Sequence, residues 1–168
     1  MTFIRTSYQG TVAKLTPDEI ENLHHCVHEY QLELGIDLGT YMGASALLMH
    51  LAGAGKVYTY DLEDLVTDKN EWINYRNGDF FKGWIRDEVV DLCQRPEPKI
   101  LFCDGGDKPK EIATFGRYLQ PGDILASHDY GVEWEDEDIQ PFIIEHNFIE
   151  LPLPYKNMLI AWIKQKEK

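Results

Sequence analysis

Cysteine and long apolar runs are both scarce in this chain of 168 residues. The three cysteines, at positions 26, 93 and 103, are widely spaced and form no Cys-x-x-Cys pair. This pattern excludes a disulfide scaffold and a cysteine-based zinc site, and it indicates reduced thiols. No apolar run reaches the roughly 20 residues of a membrane span, and the first ten residues lack the apolar region of a signal peptide. We therefore expect a cytoplasmic protein with no membrane partner.

Positive charge is scarce as well. Lysine and arginine number 16 against 29 aspartates and glutamates, which gives a net charge of −13. Proteins that bind nucleic acids neutralise phosphates with clustered basic side chains, and only the tail 164–168 is locally basic here. The composition therefore argues against a nucleic-acid partner and favours a small-molecule, peptide or sugar substrate.

The chain has no linker, repeat or low-complexity segment, so its length predicts one domain over residues 1–168. An N-terminal segment occupies residues 1–30 and contains a helix that runs to about residue 29, which Thr16, Pro17 and Glu19 begin as a capping box with proline at its first position. The core occupies residues 31–165. Strand patterns at 32–38, 57–62, 71–77, 99–104 and 123–128 alternate with helical patterns, one of which covers 110–119, and a hairpin of 148–151 and 158–164 follows. The alternation predicts a doubly wound, Rossmann-like α/β fold with a mostly parallel sheet and helices on both faces.

The stretch 31–64, QLELGIDLGTYMGASALLMHLAGAGKVYTYDLED, has the pattern strand, glycine turn, helix, strand. Gly39 ends the first strand, Gly43 opens the helix that contains Ser45, and Asp61 ends the second strand. Glycines let a backbone approach a ligand closely, and an acid at the end of the second strand can accept hydrogen bonds from ribose hydroxyls. The unit predicts a site for a cofactor that contains adenosine.

The spacing of the glycines indicates which cofactor. The turn lacks the middle glycine of the dinucleotide fingerprint, and Asp37 lies two residues before Gly39. An acid there would repel a pyrophosphate but suits a cationic ligand, and S-adenosylmethionine carries a sulfonium and an ammonium with no phosphate. An NAD-binding oxidoreductase is the weaker alternative.

The segment DLGTYMGASALLM resembles motif I of class I S-adenosylmethionine-dependent methyltransferases. It is most similar to the small O-methyltransferase-like branch, with its sugar O-methyltransferase and cephalosporin hydroxylase-like relatives. Later segments follow in the order of that family: an acid after Gly78, the strand LFCD (101–104), and the turn LQPGD (119–123), where the family has L-x-P-G-G. The resemblance covers roughly residues 30–165. The cofactor-binding residues that it implies are Asp37, Gly39, Thr40, Gly43, Ser45, Asp61, Asp79 and Asp104, with Asp37 near the methionine ammonium, Asp61 at the ribose and Asp79 at the adenine.

The segments CDGGDKPKE and HDYG resemble the IDGDHSYE and HDY pattern of metal-assisted O-methyltransferases. That resemblance implies a divalent ion, Mg²⁺ or Ca²⁺, held by Asp104 and Asp129 and lowering the pKa of an acceptor hydroxyl. Asp107 stands where the family has an acid–histidine pair. Catalysis would use that metal or His128, because imidazole can take a hydroxyl proton near neutral pH. The alternative is that Asp104 and Asp107 cap the following helix and that Asp129 begins a turn.

Only eight residues, 63–70, separate the second and third strands, whereas a crossover between parallel strands needs about a dozen. We therefore expect the third helix of the fold to be shortened or lost, which weakens the assignment of Asp79 to the adenine. The sequence predicts S-adenosylmethionine-dependent methyl transfer to a small molecule, at a hydroxyl oxygen. The alternatives are a non-catalytic Rossmann-like scaffold and a metal-dependent hydroxylase-like relative. An exposed sheet edge would allow a homodimer.

Overall fold

The computed structural model describes residues 6–8, 11–13 and 15–166. The strands are β1 (Thr6–Tyr8), β2 (Thr11–Ala13), β3 (Leu34–Leu38), β4 (Lys56–Asp61), β5 (Ile73–Asn77), β6 (Lys99–Cys103), β7 (Ile124–Ser127), β8 (Phe148–Glu150) and β9 (Ile160–Lys164). The helices are α1 (Pro17–Glu29), α2 (Ala44–Leu51), α3 (Gly83–Gln94), α4 (Lys108–Phe115) and α5 (Asp136–Glu145), with a 3₁₀ turn over Gly116–Tyr118. Within these ranges, no helix is both long and apolar enough to cross a membrane.

Seven strands form one sheet in the order β5-β4-β3-β6-β7-β9-β8, and β1 and β2 pair as a separate antiparallel hairpin. The pairs from β5 to β7 are parallel, whereas β9 runs antiparallel to both β7 and β8. The predicted Rossmann-like sheet and its C-terminal antiparallel hairpin are confirmed. The strand order reverses between β3 and β6, and ligands bind at this switch point in open α/β sheets.

The central strands form because their sequences are apolar along both faces. All residues of β3 (LGIDL), β6 (KILFC) and β7 (ILAS) are buried, as expected for parallel strands covered by helices on both sides. One core, which includes the fully buried Leu23 and Met49, packs α1 and α2 against the sheet. The other packs α3, α4 and α5 against the opposite face through Val89, Phe115 and Ile139.

Helix α1 begins as its sequence predicts, with Pro17 in the first turn. The Glu19 N–H donates to Thr16 Oγ1 and the Thr16 N–H donates to Glu19 Oε2 at 2.7 Å, so the two residues form a capping box. Glu19 is fully buried. The cap therefore also fixes a carboxylate on the inner side of the helix.

Two features of the crossovers matter for the site. Residues 62–72 contain no helix, which confirms that the third crossover helix is lost. Helix α4 was predicted over 110–119, but it begins at Lys108, because the Lys110 N–H donates to the Asp107 side chain and Pro109 occupies the first turn. The predicted capping role of Asp107 is confirmed, and the earlier start places Lys108 in the first turn.

Candidate functional site

A cavity of about 440 Å³ opens at the carboxyl ends of β3, β4, β6 and β7. Its wall includes the turn after β3, the end of β4, the loop 104–106 after β6, and the start of the loop after β7. Seven of the predicted site residues lie on this wall: Gly39, Thr40, Ser45, Asp61, Asp104, His128 and Asp129. Asp37, Gly43 and Asp79 are not part of the wall. The cavity thus joins the predicted cofactor turn to the predicted acceptor residues.

The glycines of the turn are required by the protein's own backbone. Gly39 has a φ of 110°, and a Cβ there would lie 2.6 Å from the carbonyl carbon of Asp104. The close approach therefore brings the turn after β3 against the loop after β6. Gly43 has a φ of 85° at the N-cap of α2, a conformation that side chains with a Cβ rarely adopt. The ligand approach that the sequence predicted for these glycines stays a prediction.

Asp37 lies behind the cavity wall and is fully buried. Thr59 Oγ1 donates to Asp37 Oδ2 at 2.6 Å, and Ser45 Oγ donates to the same oxygen at 3.1 Å. The hydroxyl oxygens of Thr40 and Thr59 lie 2.6 Å apart. Because the Thr59 hydroxyl already donates to Asp37, the Thr40 hydroxyl donates to Thr59. Burial raises the pKa of Asp37 to about 8, and the hydrogen bonds only partly offset it. These three hydrogen bonds connect the buried Asp37 to Thr40 and Ser45 on the cavity wall.

Asp61 and Asp79, the acids predicted at the ribose and the adenine, occupy different surroundings. Asp61 lies on the cavity wall, where it accepts the Tyr41 N–H at 2.7 Å. Asp79 lies outside the cavity wall, with its carboxylate 2.7 Å from Lys82 Nζ and accepting the Phe81 N–H. The structure therefore supports Asp61 at the cavity, and Asp79 at the adenine stays a prediction.

His128 follows β7 and is almost completely buried among carboxylates. Its Nδ1 lies 3.1 Å from Asp129 Oδ1 and 3.5 Å from Asp104 Oδ1, and its Nε2 lies 3.3 Å from Glu19 Oε1 without hydrogen-bond alignment. Burial alone would lower the pKa of His128, but the three carboxylates outweigh it and raise the pKa to about 11. The ring therefore carries its proton at neutral pH, and the predicted role as a base requires loss of that proton first.

Lys108 also lies on the cavity wall, although the sequence motifs do not point to it. Its side chain is only 4% exposed, and its Nζ lies 2.8 Å from Asp129 Oδ2, 2.6 Å from Glu133 Oε2 and 3.8 Å from Asp104 Oδ1. Burial would lower the pKa of Lys108, but hydrogen bonds to Asp129 and Glu133 raise it above its ordinary value. The Asp-Lys-Pro sequence at a helix start was the local signal that could have identified it.

The structure brings the two predicted metal ligands together and adds a third donor. Asp104, His128 and Asp129 each offer a ligand atom, and these atoms lie within 4.8 Å of one another. However, the Lys108 ammonium already engages Asp129 and approaches Asp104, and His128 holds its proton. A divalent ion needs ligands that are free of protons and competing cations. The donor set therefore does not fit a metal while Lys108 keeps this position.

No protein-family model and no curated protein sequence matches this chain. Several solved structures share its fold. A methyltransferase from Geobacter sulfurreducens matches with a TM-score of 0.67 and 12% identity, over 90% of this chain and 80% of that one. The O-methyltransferase from Bacillus cereus, in complex with S-adenosylhomocysteine, matches with a TM-score of 0.62 and 13% identity, over 89% of this chain and 82% of that one.

A third structure is MycE, a methyltransferase of the mycinamycin biosynthetic pathway, in complex with Mg, S-adenosylhomocysteine and mycinamycin VI. It matches with a TM-score of 0.57 and 14% identity, over 83% of this chain but 47% of that one. At these identities the similarity concerns the fold, so the chain has the Rossmann-like fold of methyltransferases.

Proposed function

We propose that the chain is an S-adenosylmethionine-dependent methyltransferase that methylates a small molecule at a hydroxyl oxygen. The observation that carries the proposal is the shared cavity wall. It joins Thr40 and Asp61, from the predicted cofactor half, to Asp104, His128 and Asp129, from the predicted acceptor half. The fold is that of methyltransferases whose structures contain S-adenosylhomocysteine, which supports the same cofactor here.

The charge of the wall supports a cationic cofactor. Four carboxylates line the cavity (Asp61, Asp104, Asp129 and Glu133), against the cations of Lys108 and His128. A wall with a net negative charge attracts cations and repels phosphates. S-adenosylmethionine, with a sulfonium, an ammonium and one carboxylate, suits this wall better than a dinucleotide with a pyrophosphate.

Each half of the wall has a role in the proposed reaction. Asp61 would accept hydrogen bonds from the ribose hydroxyls, and Thr40 and Ser45 would line the cofactor. When bound, S-adenosylmethionine supplies the electrophilic methyl group. Asp104 and Asp129 would hold the acceptor hydroxyl in line with that group. As the oxygen–methyl bond forms, the sulfur–methyl bond would break, its electron pair would stay on the sulfur of the departing S-adenosylhomocysteine, and the hydroxyl proton would pass to Asp104. Asp129 is the poorer proton acceptor, because His128 and Lys108 hold its pKa well below the usual range. Positioning of the two reactants would supply much of the rate.

A non-catalytic binding module is the second candidate. The loss of a helix over residues 62–72 supports it, because that crossover covers part of the adenine side in the family that the sequence resembles. The two functions differ in one measurable property: an enzyme of the proposed kind binds S-adenosylhomocysteine, the product of the cofactor, whereas a scaffold need not.

Calorimetric titration with S-adenosylhomocysteine tests the proposal. We expect the wild type to bind with a Kd of about micromolar order, and Asp61→Ala to bind at least about tenfold more weakly. Asp91→Ala, which removes an exposed acid from α3, is the matched control and should bind as the wild type does. If the wild type shows no binding heat, the methyltransferase proposal is wrong and the binding-module function replaces it.

A further inference from the structure

We propose that the Lys108 ammonium takes the place of a divalent ion in the acceptor half of the cavity, so that this site works without a metal. The inference rests on the proposed function for what the site does. The contacts of Lys108 that support it lie within this chain and do not depend on that function.

The geometry suits an ammonium. Asp129 Oδ2 and Glu133 Oε2 lie 2.8 and 2.6 Å from Lys108 Nζ, which are distances of charge-assisted hydrogen bonds. Mg²⁺ and Ca²⁺ draw carboxylate oxygens closer, to about 2.0–2.1 and 2.3–2.6 Å. Asp104 Oδ1, at 3.8 Å, completes the carboxylates around Nζ. The acids that the sequence assigned to a metal are therefore arranged around a lysine.

The position of Lys108 runs against local helix preference. The residue lies in the first turn of α4, where the helix dipole disfavours a cation, and its side chain is only 4% exposed. A buried lysine at a helix start is stable only when nearby carboxylates compensate for both penalties. Residues that oppose the local preferences of a helix in this way are expected at functional sites.

The ammonium can do part of what a metal would do. Asp129 and Glu133 occupy two of its three N–H groups at hydrogen-bond distance, whereas Asp104 at 3.8 Å is too far for a hydrogen bond. The third N–H is available for an acceptor oxygen, because Lys108 lines the cavity. A fixed positive charge beside that oxygen lowers the pKa of its hydroxyl and orients it for methyl transfer.

The test is a titration of Mg²⁺ and of Ca²⁺ into the protein without cofactor, followed by calorimetry. We expect no binding to the wild type at millimolar ion concentrations. Lys108→Gln removes the ammonium from between Asp104, Asp129 and Glu133, so it should bind at least one ion, at least about tenfold more tightly than the wild type. Binding of either ion by the wild type with a Kd below about 1 mM would overturn the proposal.

Two further variants make the result specific to the position and to the charge. Lys110→Gln removes an exposed lysine of the same helix, which contacts the Phe81 ring, and should behave as the wild type does. Lys108→Arg keeps the positive charge and should still exclude both ions. If Lys108→Gln keeps the wild-type circular dichroism spectrum but binds neither ion, the proposal is wrong. If Lys108→Gln does not fold, the wild type and Lys108→Arg provide the test. Binding of Mg²⁺ or Ca²⁺ by either protein overturns the proposal, and the lack of ion binding by both supports it.

The two proposals fail in different ways. Titration with S-adenosylhomocysteine reports on the cofactor half of the cavity, and titration with metal ions reports on the acceptor half. A wild type that binds S-adenosylhomocysteine and also a divalent ion would keep the methyltransferase function and overturn the role of Lys108. A wild type that binds neither would overturn the function and leave the exclusion of metal by Lys108 standing.

Discussion

Asp37 is a buried acid whose immediate contacts are hydroxyls. Thr59 and Ser45 donate to one of its oxygens, and the other oxygen has no hydrogen-bond partner among the described residues. Burial, followed by repulsion from Asp104 and Asp61, raises the pKa of Asp37 to about 8. Between its ordinary value of 3.8 and about 8, the folded protein therefore holds a proton that the unfolded chain releases. The free energy of unfolding must fall as the pH rises across this range, by up to about 1.4 kcal/mol per pH unit.

The variant Asp37→Asn isolates this effect. The amide oxygen can still accept from Thr59 and Ser45, but the side chain is uncharged at every pH. We expect the stability of the wild type relative to the variant to decrease from pH 5 to pH 8, measured by urea unfolding at each pH. The exposed Asp91→Asn is the control and should give a flat difference. A flat difference for Asp37→Asn as well would show that Asp37 does not hold this proton.

At the scale of elements, an ion pair links β6 to β7. Its partners are Lys99, the first residue of β6, and Asp123, the residue before β7. Both side chains are buried, at 0% and 4% exposure, and Lys99 Nζ lies 2.8 Å from Asp123 Oδ2. The same carboxylate accepts the backbone N–H groups of Lys99 and Gln120. Asp123 stands where the resembled family has the last glycine of its turn, and this buried ion pair is the physical reason for the departure.

Substitution Asp123→Gly restores the family residue and should destabilise the protein. It leaves the Lys99 ammonium buried without its partner, which typically costs about 3–5 kcal/mol. Urea unfolding should show this loss, and the double variant Lys99→Met/Asp123→Gly should recover part of it because no buried charge remains. The outcome that contradicts the pair's importance is a single variant as stable as the wild type.

The elements themselves could be predicted because their signals are local. The continuous apolar runs of β3, β6 and β7, the capping box of α1 and the short segment 63–70 all act within a few residues of one another. Parallel pairing then places the ends of neighbouring strands together, which is why Asp104 and Asp129 could be expected to meet. Those predictions needed no knowledge of how the faces of the sheet are covered.

The remaining site contacts depend on packing between distant elements. Glu19 was identified only as a helix cap, and nothing in its sequence shows that α1 brings it within 3.3 Å of His128. Lys108 and Glu133 meet across 25 positions of the chain. The charge states follow from these contacts, because the carboxylates around His128 raise its pKa. The residue types were visible in the sequence, but their partners and protonation were not.

For the molecule as a whole, excess acid sets how stability depends on pH. The chain carries a net charge of −13, and self-repulsion of that size destabilises the compact state near neutral pH. Two buried carboxyls with raised pKa values also lower the stability of the protein as the pH rises. Burial raises the pKa of Glu111 to about 7, although the backbone N–H groups of Gly105 and Asp107 partly offset it, and the pKa of Asp37 is raised to about 8. Each raised pKa means that stability falls as the pH rises from about 4 through the folded-state value.

We therefore expect the unfolding temperature to be highest between about pH 4 and 5, lower at pH 8, and lower again below about pH 4, where ion-paired carboxylates such as Asp129 become protonated. Calorimetric scans from below pH 4 to pH 9 at constant ionic strength measure this profile. A parallel series at about 0.5 M salt separates the causes, because salt screens the repulsion among surface charges but acts much less on buried carboxyls. The decline above pH 6 should persist in high salt if the buried groups Asp37, Glu111 and His128 cause it, because the pKa of His128 is also raised above its ordinary value. A maximum at pH 8 or above would mean that neither burial nor net charge controls the stability of this fold.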